Sequence, residues 1–130
     1  MEHVEQNLAS ADASDVDVLT DGELELVAKV REQYSQLCPI PCTKCSYCMP
    51  CPSGVDIPGN FAAYNEGVMY DNPDEARESY QWINEDARAS ACVQCRQCEE
   101  LCPQHIVISE WMPVVHGVLG EGDPYVCELP

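Results

Sequence analysis

The pattern of apolar and polar positions predicts an amphipathic helix over residues 20–37. Its apolar positions recur at helical spacing and form one stripe, made of Val27, Val30, Tyr34 and Leu37. Thr20 and Glu23 occupy the two positions of a capping box, in which each side chain meets a free backbone N–H at the start of a helix. Pro39 and Pro41 follow the stripe, and they end the helix because proline cannot continue its hydrogen-bond ladder.

Two further helices are predicted between residues 56 and 83. Asp56 and Asn72 are candidate N-caps, and each is followed closely by a proline that suits a first helical turn. The apolar residues behind them recur at helical spacing: Ile57, Phe61, Tyr64 and Val68 in one segment, and Ala76, Tyr80 and Ile83 in the other. No part of this stretch alternates with a period of two, so the sequence predicts an all-α fold.

The two ends of the chain are predicted to lie outside the main domain. Residues 1–19 hold a short helix around Val4 and Leu8 followed by small polar residues, which indicates a helical arm and a linker. Residues 121–130 are predicted to form an acidic tail. We therefore expect the main domain over residues 38–120, with the amphipathic helix at 20–37 ahead of it.

Composition indicates that apolar packing alone does not hold this domain together. Aromatic residues make up only 7% of the 130 residues, whereas there are ten cysteines, and a thin core of this kind usually needs covalent or metal cross-links. No signal peptide or membrane span is readable, so we expect a cytoplasmic protein whose cysteines bind metal. The formal charge of −17 argues against nucleic acid and membranes as partners. It indicates a solubilising surface, or steering toward a basic redox partner.

Eight of the ten cysteines fall into two runs. The second run has the spacing of bacterial ferredoxins, in which three thiolates wrap one [4Fe–4S] cluster and the fourth ligates the other cluster: Cys92, Cys95, Cys98 and Cys102. The first run comes one residue short of that spacing before its last member: Cys42, Cys45, Cys48 and Cys51. The rule predicts two clusters with crossed ligands, one held by Cys42, Cys45, Cys48 and Cys102, the other by Cys92, Cys95, Cys98 and Cys51.

An internal repeat supports a paired arrangement. Residues 51–58 align with residues 102–109, with Cys-Pro at the start of each copy and apolar residues four and six positions after each cysteine. Each copy is expected to lead into a helix, capped by Asp56 in the first and by Ser109 in the second. The sequence therefore predicts an α-helical dicluster ferredoxin-like domain with a pseudo-twofold pair of cluster sites and an N-terminal helical arm.

Other interpretations of the cysteines are weighed against this one. Two Cys-x2-Cys pairs can form a zinc site, although zinc does not explain three cysteines in continuous two-residue spacing twice. Disulfides are disfavoured because such close neighbours cannot all find unstrained partners. Cys38 and Cys127 are both expected not to be ligands: Cys38 to pack beside a cluster, with replacement of a ligand as the alternative, and Cys127 to be a free surface thiol. Tyr47 and Met49 are expected to shield a cluster from water, and His105 is a candidate hydrogen-bond donor near one.

Residues 41–58 read Pro-Cys-Thr-Lys-Cys-Ser-Tyr-Cys-Met-Pro-Cys-Pro-Ser-Gly-Val-Asp-Ile-Pro. This segment closely resembles the C-terminal ferredoxin-type extension of the aldo/keto reductase family of predicted oxidoreductases. Further matching segments are residues 64–66, 69–70, 88–95 and 99–104, within a resemblance that spans about residues 2–119. The pair Met112-Pro113 departs from the family pattern, and an interruption is expected there, ahead of the final helix at 114–119, unless that helix restarts with Pro113 in its first turn.

The resemblance implies an electron-transfer role. In that family a nicotinamide-binding (β/α)8 barrel precedes the extension, and residues 2–8 resemble its last helix and exit. The barrel's catalytic residues have no counterparts here, so the chain is expected to be a piece that is not catalytic on its own. Its two [4Fe–4S] clusters are expected to relay electrons between a redox partner and an aldo/keto reductase-type barrel domain or chain. A cluster clamp that only tethers the arm to the barrel, and a zinc-stabilised interaction module, are the alternatives.

Overall fold

A computed structural model describes residues 1–129 of the chain, and every regular element in this range is helical. The α-helices are α1 (Glu2–Ala13), α2 (Asp21–Leu37), α3 (Ile57–Met69), α4 (Pro73–Trp82), α5 (Gln97–Glu100) and α6 (Ile108–His116). Single turns of 3-10 helix lie at Glu85–Ala87 and Ala89–Ala91, and a π-helical turn at Gly117–Glu121 follows α6. The predicted all-α fold class is confirmed. Within residues 1–129, no helix has both the length and the hydrophobicity to cross a bilayer.

The chain divides into one compact unit over residues 1–33 and another from Tyr34 onward. Helix α2 begins as predicted, because the Thr20 N–H donates to the Glu23 carboxylate over 2.8 Å and the Glu23 N–H donates to the Thr20 hydroxyl over 3.4 Å. Helix α1 reaches Ala13, so the helical arm is longer than the sequence suggested. Neither α1 nor α2 buries any residue, and the stripe from Val27 to Leu37 is exposed throughout.

The unit that begins at Tyr34 is built around α3, α4 and α6. Phe61 and Tyr64 of α3, Tyr80 of α4 and Met112 of α6 are at most 1% exposed. The rings of Tyr64 and Trp111 meet edge to face with their centroids 5.7 Å apart, which joins α3 to α6. Because these two helices follow the last cysteine of each run, the core lies next to both runs.

In the unit that begins at Tyr34, the helix caps agree with the sequence at two of three positions. Asp56 accepts a hydrogen bond from the Gly59 N–H over 3.1 Å at the start of α3, and Asn72 accepts one from the Glu75 N–H over 3.4 Å at the start of α4. The expected cap by Ser109 is wrong, since Ser109 lies inside α6. Its N–H and hydroxyl both donate to the Glu99 carboxylate, over 2.8 and 2.6 Å. A carboxylate supplied by α5 therefore satisfies the first turn of α6 and complements its positive end.

Helix α6 runs through Pro113, so the expected interruption there is also wrong. Proline lacks the N–H that would pair with the carbonyl of Ser109, four residues earlier. That carbonyl instead accepts a hydrogen bond from the Gln94 side-chain amide over 3.0 Å. A side chain of the second cysteine run thus compensates for the proline.

Part of the predicted acidic tail packs on the domain. The Tyr64 hydroxyl donates to the Val126 carbonyl over 2.8 Å and accepts from the Val126 N–H over 3.1 Å. The Tyr125 ring lies 4.9 Å from that of Tyr64, centroid to centroid. This acidic segment therefore also contains side chains that pack against the core, namely Tyr125, Val126 and Leu129. Its charge alone does not reveal this packing.

Candidate metal centres

The two cysteine loops follow the same backbone path. Lys44 and Ser46, at the third and fifth positions of the first run, have positive φ angles of 55° and 62°. Gln94 and Arg96, at the same positions of the second run, have φ angles of 55° and 64°. Residues other than glycine rarely adopt this left-handed conformation. Its recurrence at equivalent positions indicates that both loops are shaped for the same task.

This shape turns backbone N–H groups toward the cysteine sulfurs. The Gln94 N–H donates to the Cys92 sulfur over 3.4 Å. In the first loop, burial raises the pKa of Cys42, and a hydrogen bond from the Lys44 backbone opposes that increase. Donors of this kind stabilise negative charge on sulfur, which is the charge that a metal-bound thiolate carries.

The backbone repeat continues beyond each run. Gly54 and His105 both have positive φ, 81° and 52°, and their N–H groups donate to the carbonyls of Cys51 and Cys102 over 2.9 and 3.1 Å. The apolar residues that follow are buried in both copies: Val55 and Ile57, Ile106 and Ile108. The His105 side chain is exposed. His105 therefore matches Gly54 in the repeat through its left-handed backbone, not through its side chain. The predicted internal repeat is therefore present in the structure as well as in the sequence.

The structure brings each run close to the last cysteine of the other. One pocket is lined by four thiols, Cys42, Cys45, Cys48 and Cys102, and by an apolar wall, Ile57, Phe61, Ile106 and Ile108. At the second run, Cys51 and Cys92 are both close enough to Cys98 for their charges to raise its pKa. Cys95 is exposed, as is its equivalent Cys45. The cysteines that lie close together in the structure therefore come from both runs, not from a single run.

The donor sets fit iron–sulfur clusters. Four soft thiolates, an apolar wall and N–H donors toward sulfur are the surroundings that [4Fe–4S] clusters take in proteins. Among residues 1–129, no group of three or more ligand-type side chains converges on a single metal ion, and a cubane does not require one because it spreads its thiolates over four irons. Burial raises the pKa of Cys98 to about 11 and also raises the pKa of Cys48. These thiols must therefore release protons when metal binds.

Two asparagine side chains of α3 form hydrogen bonds with the backbone segments that precede the two cysteine runs. Asn65 pairs with the backbone of Ile40, whose N–H donates to its side-chain oxygen over 3.1 Å and whose carbonyl accepts from its amide over 2.7 Å. Asn60, which is fully buried, donates to the Ala87 carbonyl over 2.9 Å and accepts from the Ala89 N–H over 2.8 Å. Sequence reasoning missed both. A polar residue inside the apolar stripe of a predicted helix was the only available signal for Asn60.

Replacing Asn60 by alanine is expected to destabilise the cluster-loaded protein by about 2–4 kcal/mol, because it leaves the buried Ala89 N–H without a partner and removes one of the two hydrogen bonds to the Ala87 carbonyl. Urea unfolding followed by circular dichroism measures the change. Asn84→Ala is the matched control, since Asn84 is exposed and its side chain makes no capping bond; it should change stability by less than about 0.5 kcal/mol. Equal effects of the two variants would contradict the assigned role of Asn60.

The remaining candidates divide into packed and exposed groups. Cys38 is partly buried and lines a cleft together with Cys42, whereas Cys127 is exposed, as predicted. Met49 packs against the core, and its peptide bond to Pro50, in the shortened turn, is cis. Tyr47 is 67% exposed, so the expected shielding role fits Met49 rather than Tyr47.

Comparison with known proteins agrees with this geometry. A family model described as the 4Fe-4S dicluster domain matches residues 41–107, just over half of the chain. The chain therefore belongs to the 4Fe-4S dicluster domain family and is an iron–sulfur protein. The matched range contains all eight cysteines of the two runs. Searches of curated proteins and of solved structures returned no match.

Proposed function

We propose that this chain binds two [4Fe–4S] clusters with crossed ligands and relays single electrons. The first cluster takes Cys42, Cys45, Cys48 and Cys102, and the second takes Cys92, Cys95, Cys98 and Cys51. The observation that carries the proposal is that Cys102 lines the pocket of the first run, although it belongs to the second.

Crossed ligands keep the two clusters close together. Cys48 and Cys51 serve different clusters and are three residues apart in sequence. Their Cα atoms are therefore separated by at most about 11 Å, at roughly 3.6 Å per residue. A path this short suits the passage of single electrons from one cluster to the other.

We further propose that the electrons pass to or from a nicotinamide-binding barrel of the aldo/keto reductase type, in the same chain or a separate one, in the cytoplasm. The resemblance of residues 41–58 to the extension of that family motivates this step. The apolar stripe on α2 supports a protein partner, because Val27, Val30 and Tyr34 are each more than half exposed. A basic partner suits the charge of −17.

Metal analysis tests the cluster content. We expect about eight iron and eight sulfide per chain from protein purified without oxygen, since each cluster holds four of each. The dithionite-reduced protein should give the EPR signal of interacting paramagnetic clusters. Stoichiometric zinc without acid-labile sulfide would instead establish the zinc-stabilised module.

Reoxidation kinetics separate a relay from a clamp. The reduced protein is mixed with an aldo/keto reductase chain loaded with NADP⁺, and the cluster absorbance is followed with time. A relay should be reoxidised within the turnover time of that enzyme and should form NADPH, one molecule for every two electrons. Clusters that stay reduced over many turnovers would indicate that they only hold the arm in place.

A further inference from the structure

We propose that the cleft beside Cys42 binds a planar quinone, which the first cluster reduces. This inference rests on the proposed function and adds a small-molecule electron acceptor to it. The cleft lies wholly within the unit that begins at Tyr34, has a volume of about 230 Å³, and is lined by Tyr34, Cys38, Cys42, Lys44, Met69 and Tyr70 among others. Its size suits a ligand of one or two rings rather than a larger cofactor.

The lining has the chemistry that recognises an electron-poor aromatic ring bearing oxygens. Tyr34 and Tyr70 line the cleft and are 60% and 71% exposed, so a ring can stack on them. The Met69 thioether is a polarizable contact for a ring. Lys44 can donate to a quinone oxygen, and this interaction strengthens as the oxygen gains negative charge on reduction. Its partner Glu66, 3.7 Å away, also lines the cleft, so the Lys44 ammonium is held at its edge.

Cys42 places the cleft beside the proposed site of the first cluster. It lines the cleft on one side and the four-thiol pocket on the other, so a bound ring lies against a ligand of the first cluster. The second cluster lies close to the first, because Cys48 and Cys51 are three residues apart in sequence, so it can supply the second electron.

The reaction balances with these components. Each reduced cluster gives up one electron and returns from the +1 to the +2 state. The quinone takes up two electrons, one from each cluster in turn, together with two protons from solvent, and leaves as the hydroquinone. No bond forms between the ring and the protein, and both cysteine sets keep their ligands throughout.

Stopped-flow reoxidation tests the site. The anaerobic, reduced holoprotein is mixed with 1,2-naphthoquinone-4-sulfonate, and cluster absorbance is recorded over a range of quinone concentrations. A binding site predicts a rate that saturates. Tyr70→Ala should raise the half-saturating concentration about fivefold, the effect of losing one aromatic contact. Trp82→Ala is the matched control, because Trp82 is also an exposed aromatic side chain, 82% against 71%, but lies outside both runs and does not line the cleft.

The outcomes distinguish this inference from the function on which it rests. A rate that rises linearly with quinone in the wild type, or that changes equally in the Tyr70 and Trp82 variants, overturns the site while leaving the cluster relay intact. Absence of iron and sulfide overturns both. The EPR spectrum of each reduced variant shows whether its clusters are complete, so a variant that has lost a cluster is recognised before its kinetics are compared.

Discussion

Removal of iron is expected to unfold most of the unit that begins at Tyr34. Its buried side chains are few, and the cysteines of each proposed cluster come from segments far apart in sequence, so cluster binding closes loops that weak packing cannot close alone. Helix α2 buries nothing and is not expected to gain order from the core. Folding and cluster binding should therefore be a single event.

Charge repulsion opposes compaction with and without the clusters. The chain carries −17 without metal, and each oxidised cluster with its four thiolates adds a charge of about −2. Screening by salt weakens repulsion between exposed charges over roughly 10 Å at 0.1 M. The iron-free protein should therefore contract when sodium chloride is added, whereas the cluster-loaded protein, already compact, should change little.

Circular dichroism and the hydrodynamic radius, each measured with and without clusters at low and high salt, check this prediction. The iron-free sample is prepared by chelation under reducing conditions, so that disulfides do not replace the metal. An iron-free protein with the radius and the cooperative melting of the loaded form would show that α3, α4 and α6 form a sufficient core unaided.

Alanine at the last cysteine of either run is expected to damage the cluster of the other run. Cys102→Ala should impair the cluster of Cys42, Cys45 and Cys48, because Cys102 is the fourth thiol of that pocket. Cys51→Ala should impair the cluster that includes Cys98, since Cys51 lies within electrostatic reach of Cys98. We expect roughly half of the iron to be lost from each variant, or conversion of the affected cluster to a three-iron form.

Mössbauer and EPR spectra of the two variants, compared with variants of Cys45 and Cys95, identify which cluster is affected. Cys45 and Cys95 are the middle members of their own runs, so each of these variants should lose its own cluster. Cys127→Ala is the control, because Cys127 is exposed and lies outside both runs. If Cys102→Ala has the same spectrum as Cys95→Ala, the ligands are not crossed.

Much of the fold followed from local signals. The capping box at Thr20, the caps at Asp56 and Asn72, and the apolar spacing in α3 are properties of short segments, and tertiary contacts did not change them. The duplication was also readable, because it places cysteine, proline and two apolar residues in the same order twice. The cysteine spacing led to the four-thiol pocket because cross-ligation is a general property of this motif.

What sequence reasoning missed depends on long-range contacts. The capping of α6 by Glu99 and the rescue of Pro113 by Gln94 join residues that no local rule connects. The left-handed residues of the cysteine loops were not predicted, since none of them is the glycine that usually marks such a conformation. The stripe on α2 was correctly placed on one helix face, but amphipathic spacing does not tell whether the same chain covers that face.

The position of Cys102 in the pocket of the first run also sets the order in which the sites are finished during synthesis. With crossed ligands, the second cluster has its complete set once Cys98 has left the ribosome, because Cys51 is already outside. The first cluster must wait for Cys102, four residues later, although three of its ligands emerge much earlier. Both sites are thus completed almost together, and the cysteines of the first run have no complete partner set while the segment between Cys51 and Cys98 is being synthesised.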